Sequence, residues 1–292
     1  MTGVPAVVVL ASAGRPELLG AAVDDLLALR HEGFVLAVCV PDAASLPARG
    51  LPEGVVVAHA RGLPAQRNAG LDAALAAAPD ARAAFFFDDD SVVGAGYVAT
   101  ALAFLADHPG VVGVTGEVLL DGASADEVPL DAARAALAER AARGASGRWA
   151  PISGLYGCNF GYRLAGHAER FDERLPLYAW MEDRDFSERL KRTGALAKVD
   201  DCAVVHRGVR SGGRAAHLRL GYSQVMNPAY LRSTGSFTTA MAALQVLPRA
   251  AKNTVLAPVD PDRRRRLRGN LVALGDVLRR RFTPERVLDL PP

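Results

Sequence analysis

Cysteine, lysine and aromatic side chains are scarce in this sequence, and so are long uncharged runs. The three cysteines, Cys39, Cys158 and Cys202, are odd in number, widely spaced and set among apolar neighbours. That excludes a disulfide framework or a cysteine-rich zinc site and predicts reduced core thiols. The longest stretch without charge, Ser233–Pro248, has 16 residues and includes Ser233, Thr234, Ser236, Thr238, Thr239 and Gln245. A spanning helix needs about 20 apolar residues, so none is expected. No basic segment precedes the first apolar run, Ala6–Leu10, which predicts a chain without a secretory leader and a cytoplasmic location. An excess of one charge is missing too, with 34 basic against 32 acidic residues, a net +2 over 292 residues. Nucleic acid is therefore not an expected partner. Hydrophobic residues at 50% and charged residues at 23% suit a globular chain of one large or two smaller domains.

What is present is an alternation of apolar runs and helical patterns. Val7–Leu10, Leu36–Val40, Val55–Ala58, Ala83–Phe87 and Val111–Leu120 read as strands. Helical periodicity lies between them, at Leu18–Leu29, Pro64–Ala78 and Tyr97–Ala106. Such alternation predicts an α/β fold with a mostly parallel sheet covered on both faces, and ligands bind such sheets at the carboxyl ends of the strands. Ser12–Arg15, Asp42 and Asp88–Asp90 all fall at strand ends. Further on, the pattern predicts helices over Leu130–Arg143 and Met181–Thr193, strands over Leu155–Arg163 and Ala203–His206, and a helical tail from Ala215 broken near Gly235 and Pro258–Pro261.

Four features could carry chemistry. Phe85-Phe86-Phe87 delivers Asp88-Asp89-Asp90, adjacent carboxylates that are costly to gather unless a cation neutralises them; hard oxygen ligands suit Mg²⁺ or Mn²⁺. A solvated acidic turn is the plainer reading. Arg67 and Asn68 lie in the first turn of a helix, where a phosphate or sugar could be met, or where they serve only as surface residue and cap. Glu182, Asp183 and Asp185 open another helix and suit its dipole, but Tyr178 and Trp180 beside them are surroundings that can make a carboxylate a general base. His206 ends an apolar strand, where a histidine is ordinarily a packed residue unless it faces Asp90.

In order and spacing, several segments together resemble the inverting family 2 glycosyltransferases: Leu10-Ala11-Ser12-Ala13-Gly14-Arg15-Pro16-Glu17, Ala65-Gln66-Arg67-Asn68-Ala69-Gly70, Phe87-Asp88-Asp89-Asp90, Gly157-Cys158-Asn159-Phe160, Phe171-Asp172-Glu173, Glu182-Asp183-Arg184-Asp185-Phe186 and His206. The resemblance covers residues 4 to about 214. It implies a GT-A fold, a three-layer α/β sandwich, as the catalytic domain over 1–214, with 215–292 as a helical extension. It implies that Ser12, Arg15 and Asp42 line the nucleotide pocket, although Pro41-Asp42-Ala43 replaces the family's usual Asp-Gly-Ser turn. It places Arg67 near the diphosphate and Asn68, Asp89, Asn159 and Trp180 among the substrate-contacting positions. Asp88, Asp90 and His206 become the metal ligands, with Mg²⁺ or Mn²⁺ as cofactor, Asp183 the catalytic base and Glu182 its neighbour. The implied partners are a nucleotide-diphosphate sugar donor and a carbohydrate or lipid-linked acceptor, in cell-surface polysaccharide or glycoconjugate synthesis. Arg210 and Arg214 follow His206 in a Gly/Arg-rich stretch that reads either as a loop closing over the diphosphate or as an Arg-rich solvent loop.

Two other readings stand beside this one. Asp88-Asp89-Asp90-Ser91-Val92 also fits the nucleophile motif of haloacid-dehalogenase-like phosphatases, with Lys198 and Asp200-Asp201 as later motifs, but that leaves Arg67-Asn68 and Glu182-Asp183 unexplained. A catalytically silent sugar-nucleotide-binding protein is the other. In the tail, residues 249–292 carry 11 basic and 5 acidic side chains. Arg263-Arg264-Arg265-Arg266 runs into the periodic Leu267, Leu271, Leu274 and Leu278, which reads either as the solvated face of a packed helix or as a peripheral contact with anionic membrane.

Overall fold

The apolar run after Pro5 forms a strand, β1 (Ala6–Ala11), with every residue buried. In the computed structural model, which describes residues 5–123, 126–164, 166, 169–209 and 216–291, the chain divides into two units. The first comprises Met1–Arg61, Gln66–Arg170 and Leu190–Arg210, the second Gly62–Ala65, Phe171–Arg189 and Ser211–Pro292.

Among the described residues the first unit holds one nine-stranded mixed sheet. Its strands are β1, β2 (Phe34–Val40), β3 (Val56–His59), β4 (Ala83–Asp88), β5 (Ser91–Val93), β6 (Val111–Asp121), β7 (Trp149–Pro151), β8 (Asn159–Arg163) and β9 (Ala195–His206). The order is β3-β2-β1-β4-β8-β6-β9-β5, with β7 paired to β9. From β3 to β4 all pairings are parallel, and the register sets Ala11 beside both Cys39 and Asp88, so three strands end at one level. β8 then runs antiparallel to β4 and β6.

Alternation along β1 separates two faces. Val8 and Leu10 join a core with Leu19 and Val23 of α1 (Pro16–Ala28) and Val98 and Ala101 of α3 (Tyr97–Asp107). Val9 on the other face meets α2 (Leu63–Ala77), where a Cβ on Gly70 would come within 2.6 Å of Val9 Cγ1, so that only glycine permits this approach. The sheet is thus the middle of three layers. The Phe85–Phe87 run obeys the same alternation: Phe85 and Phe87 turn their edges to Tyr97, while Phe86 stacks on Phe160 at 5.1 Å. Cys39, Cys158 and Cys202 are buried free thiols. α4 (Leu130–Ala142) matches the helix expected there.

Two strands escape the sequence pattern. β5 is only three residues long, and β7 is exposed throughout. β9 is longer than its apolar end suggests, because Lys198, Asp200 and Asp201 interrupt the run while their neighbours stay buried.

In the second unit, α5 (Glu182–Leu190, its last residue counted with the first unit) precedes α6 (His217–Ser233), α7 (Thr239–Leu256) and α8 (Pro261–Leu278). α6 and α8 cross through glycines: a Cβ on Gly221 would lie 2.1 Å from Arg266 O, and one on Gly269 2.2 Å from Leu218 O. Buried amides tie three helices together, with Asn253 Nδ2 donating to Gln224 Oε1 (3.1 Å) and Asn270 Oδ1 (2.9 Å). Among the described residues no helix is long and apolar enough to cross a membrane.

Candidate functional site

The acidic cluster is built by strand register. β4 ends at Asp88, and after the two residues Asp89 and Asp90 β5 pairs antiparallel with the end of β9, Ser91 opposite His206. The same histidine is registered with Asp121 at the end of β6. Three strand ends thereby converge: ligand atoms of Asp88, Asp90 and His206 lie within 4.8 Å of one another. His206 Nε2 faces Asp90 Oδ1 at 3.4 Å, while its Nδ1 is held by Asp121 Oδ1 at 2.9 Å. Tyr156 donates its hydroxyl to the other Asp121 oxygen (2.7 Å). The carboxylate behind the ring fixes its orientation and leaves Nε2 for the cluster.

Electrostatics differ among the three aspartates. Asp88, a third of whose side chain reaches solvent, is pushed up by the low-dielectric strand end, against the pull of Arg67 Nη2 at 3.2 Å. Asp89 is pushed up to about 7 by burial, although Arg15 pairs with it and Ser12 donates to it at 2.5 Å. Burial opposes ionisation of Asp90 as well, but the bonds from His206 and from Val209 N (2.9 Å) hold it below the usual range. Burial also works against a charged His206, and the carboxylates around it outweigh that and raise it to about 9. Two carboxylate oxygens and one imidazole nitrogen, gathered at two strand ends and the turn between β4 and β5, fit a divalent cation.

Several other residues singled out from sequence lie in the same unit. Ser12 and Arg15, on the loop after β1, both engage Asp89. Asp42 accepts from Ser45 Oγ (3.0 Å), which in turn accepts from Gly14 N (3.2 Å), so the β1 and β2 loops are joined. Arg67 is 2% exposed, donates to Gly157 O at 2.7 Å and lies over the Phe160 ring at 5.5 Å. Asn68 is buried on α2. Asn159 is wholly buried, and its Oδ1 accepts from Gly116 N (2.7 Å) and Tyr97 Oη (2.9 Å), so its amide joins β8 to β6. Arg210 and Arg214 lie outside the described residues.

The other carboxylates belong to the second unit. Leu177, Ala179 and Met181 take left-handed φ values of 60°, 51° and 75°, a strained approach for residues with a Cβ. This segment leads directly into Glu182 and Asp183 at the start of α5. Glu182 is buried, whereas Asp183 is half-buried and accepts from Arg184 N at 2.7 Å. Asp185, 2% exposed, pairs with Arg189 at 2.9 Å and serves the helix. Trp180 gives its carbonyl to Asn227 Nδ2 (2.9 Å) and its ring face to Arg249 (4.8 Å).

No protein-family model matches the chain, and no curated protein matches it in sequence. Solved structures do. A mannosyltransferase from Pyrobaculum calidifontis, PcManGT, in complex with GDP-Man and Mn²⁺, superposes over 97% of this chain and 84% of its own at a TM-score of 0.52 and 17% identity. The fold is a GT-A-type glycosyltransferase fold. TarS from S. aureus matches 97% of this chain at a TM-score of 0.47 and 14% identity, and the chain spans 55% of it.

Four residues in these constellations were not singled out from sequence. Asp121 and Tyr156 act behind His206. Gln66 donates to Ser12 O (2.8 Å) and Cys39 O (3.0 Å), tying two strand ends to α2. Asn227, 1% exposed, holds the Trp180 carbonyl. None has a local signal except Gln66, which directly precedes Arg67.

Proposed function

We propose that the chain is a metal-dependent inverting glycosyltransferase that moves a sugar from a nucleotide-diphosphate donor to the hydroxyl of a carbohydrate or lipid-linked acceptor, in cell-surface polysaccharide or glycoconjugate synthesis. The observation that carries the reading is the Asp88–Asp90–His206 cluster at the ends of three strands of a GT-A-type sheet. The imidazole in that donor set favours Mn²⁺ over Mg²⁺. When bound, the cation supplies positive charge to the departing diphosphate.

The remaining roles belong to this chain's own side chains. Arg67, whose guanidinium is fixed by Gly157 O and Phe160, adds a second fixed charge for the diphosphate. Ser12 and Arg15 hold Asp89, so the loop after β1 keeps its shape for the nucleotide, with Asp42 on the adjoining loop. Asp183 takes the acceptor proton. The freed oxygen attacks the anomeric carbon, and the bonding pair to the diphosphate leaves with it, which inverts that centre. Trp180 and Glu182 flank this base, and Asn68 completes the substrate-side set, with Asn159 behind it as the buried amide that joins β8 to β6.

Asp183→Asn tests the assignment. Donor binding by calorimetry is expected to stay within about twofold, while transfer falls at least about a hundredfold. GDP-mannose, the ligand named for the Pyrobaculum structure, is the first donor to try. Unchanged transfer would remove the base from Asp183. If no donor turns over in either protein although one binds, the silent-binder reading takes its place. The phosphatase reading leaves Arg67 and the Glu182-Asp183 pair without a role.

A further inference from the structure

Exposed leucines and valines are ordinary when scattered singly. Here they are collected. Among the large hydrophobic residues described, Leu244 (69%), Leu247 (65%), Val255 (73%), Val259 (81%), Leu271 (59%) and Leu278 (76%) stand more than half exposed, and all lie on α7, α8 or the turn between them, with Leu274 (46%) alongside. At 100° per residue, Leu244, Leu247 and Val255 fall within an arc of about 80° on α7, together with exposed Ala240 and Ala251. Leu267, Leu271, Leu274 and Leu278 fall within about 60° on α8.

These stripes are not the faces that pack the bundle. α7 buries Ala242 and Asn253, while α8 buries Gly269, Asn270, Ala273 and Asp276. Each helix therefore carries an apolar stripe in addition to its core face, where a helix at a water-facing surface normally has one. The stripes are bordered by cations. Lys252, Arg264, Arg268, Arg279, Arg280 and Arg281 are exposed and have no carboxylate partner among the described residues.

We propose that the α7–α8 hairpin docks on an anionic phospholipid surface, lying in the headgroup layer with its leucines and valines inserted and its arginines on the lipid phosphates. Neither helix is long and apolar enough to cross, and an amphipathic pair with a basic border binds in the plane of the interface. Arginine and lysine stems cover apolar surface while their heads reach the phosphates. The charge decides between lipid and a second copy of the chain. Residues 249–292 carry 11 basic against 5 acidic side chains, so two copies joined by this face would set like charges against each other, whereas an anionic bilayer neutralises them.

The test is flotation of the full chain with vesicles of phosphatidylcholine alone and of equal parts phosphatidylcholine and phosphatidylglycerol. The protein is expected to float with the anionic vesicles and at least about tenfold less with the neutral ones. Two variants at exposed positions, Leu271→Ser with Leu278→Ser and Arg268→Gln with Arg281→Gln, are each expected to cut the bound fraction at least about tenfold while circular dichroism and Tm stay unchanged. No flotation with anionic vesicles, or flotation retained by either folded variant, overturns the proposal. So does a concentration-dependent dimer that the leucine pair dissolves without any vesicle binding, which would assign the face to a second copy.

Discussion

At the scale of single residues, the pairing behind His206 makes a sharp claim. Asp121 touches the ring nitrogen that faces away from the cluster, so its part is to orient rather than to ligate. Asp121→Asn is expected to weaken Mn²⁺ binding about 10- to 100-fold. Asp90→Asn should abolish it. Titration of Mn²⁺ followed by electron paramagnetic resonance reads both, and equal affinity in wild type and Asp121→Asn would remove the orienting role. Asp201, away from the cluster, carries a pH prediction. Burial would raise it, but bonds from Ser146 N and Oγ, Gly147 N and Arg140 hold it at about 2 against an ordinary 3.8. A carboxyl lowered by folding stabilises the fold above its unfolded value and loses that contribution as pH falls through the folded one. Asp201→Asn should therefore cost on the order of 1 kcal/mol at neutral pH, allowing for solvent screening. The gap to wild type in urea melts should narrow as pH drops from about 4 toward 2.

At the scale of elements, two contacts hold the sheet and its helices in place. Glu32 reaches α3 from a distant turn, accepting from Gly96 N (2.7 Å), Val98 N (2.9 Å) and Ala99 N (3.2 Å). This is an N-terminal cap supplied by another segment. Glu32→Ala should lower stability by about 1 kcal/mol, read from the denaturant midpoint. Gly116, at the bulge between β6 and β9, would place a Cβ 2.0 Å from Cys202 O. Gly116→Ala should cost more than about 2 kcal/mol, and a Tm equal to that of wild type would contradict the close approach. Elements of this kind mark how far the sequence could be read. β1, β2, β4 and the helices between them announce themselves by unbroken apolar runs and periodicity, and Asp88–Asp90 is legible because a strand of three phenylalanines delivers it. β5 has three residues and no pattern of its own; it is a strand because β9 lies beside it. That pairing, rather than any motif, sets His206 against Asp90. Asp121, Tyr156 and Asn227 act across 85, 35 and 47 positions of chain, and only a register known in three dimensions brings them to their partners.

At the scale of the whole molecule, the fold supplies two kinds of carboxylate: a gathered set in the first unit, held by strand ends, and a second set at the start of α5 behind a strained approach. The chemistry proposed here needs the first set to hold charge for the leaving group and the second to accept a proton. Those are separable demands, and removing either should spare folding. The uneven charge of the chain, −4 over residues 1–248 and +6 over 249–292, separates the acidic chemistry from the basic tail in the same way. Thermal-shift titration of the full chain with a panel of nucleotide-diphosphate sugars, with and without Mn²⁺, beside Asp90→Asn, tests the central claim most directly. At least one donor is expected to raise Tm only when Mn²⁺ is present, and Asp90→Asn to abolish the effect. A donor-induced shift that persists in chelator and in Asp90→Asn, or no shift with any donor, would contradict it.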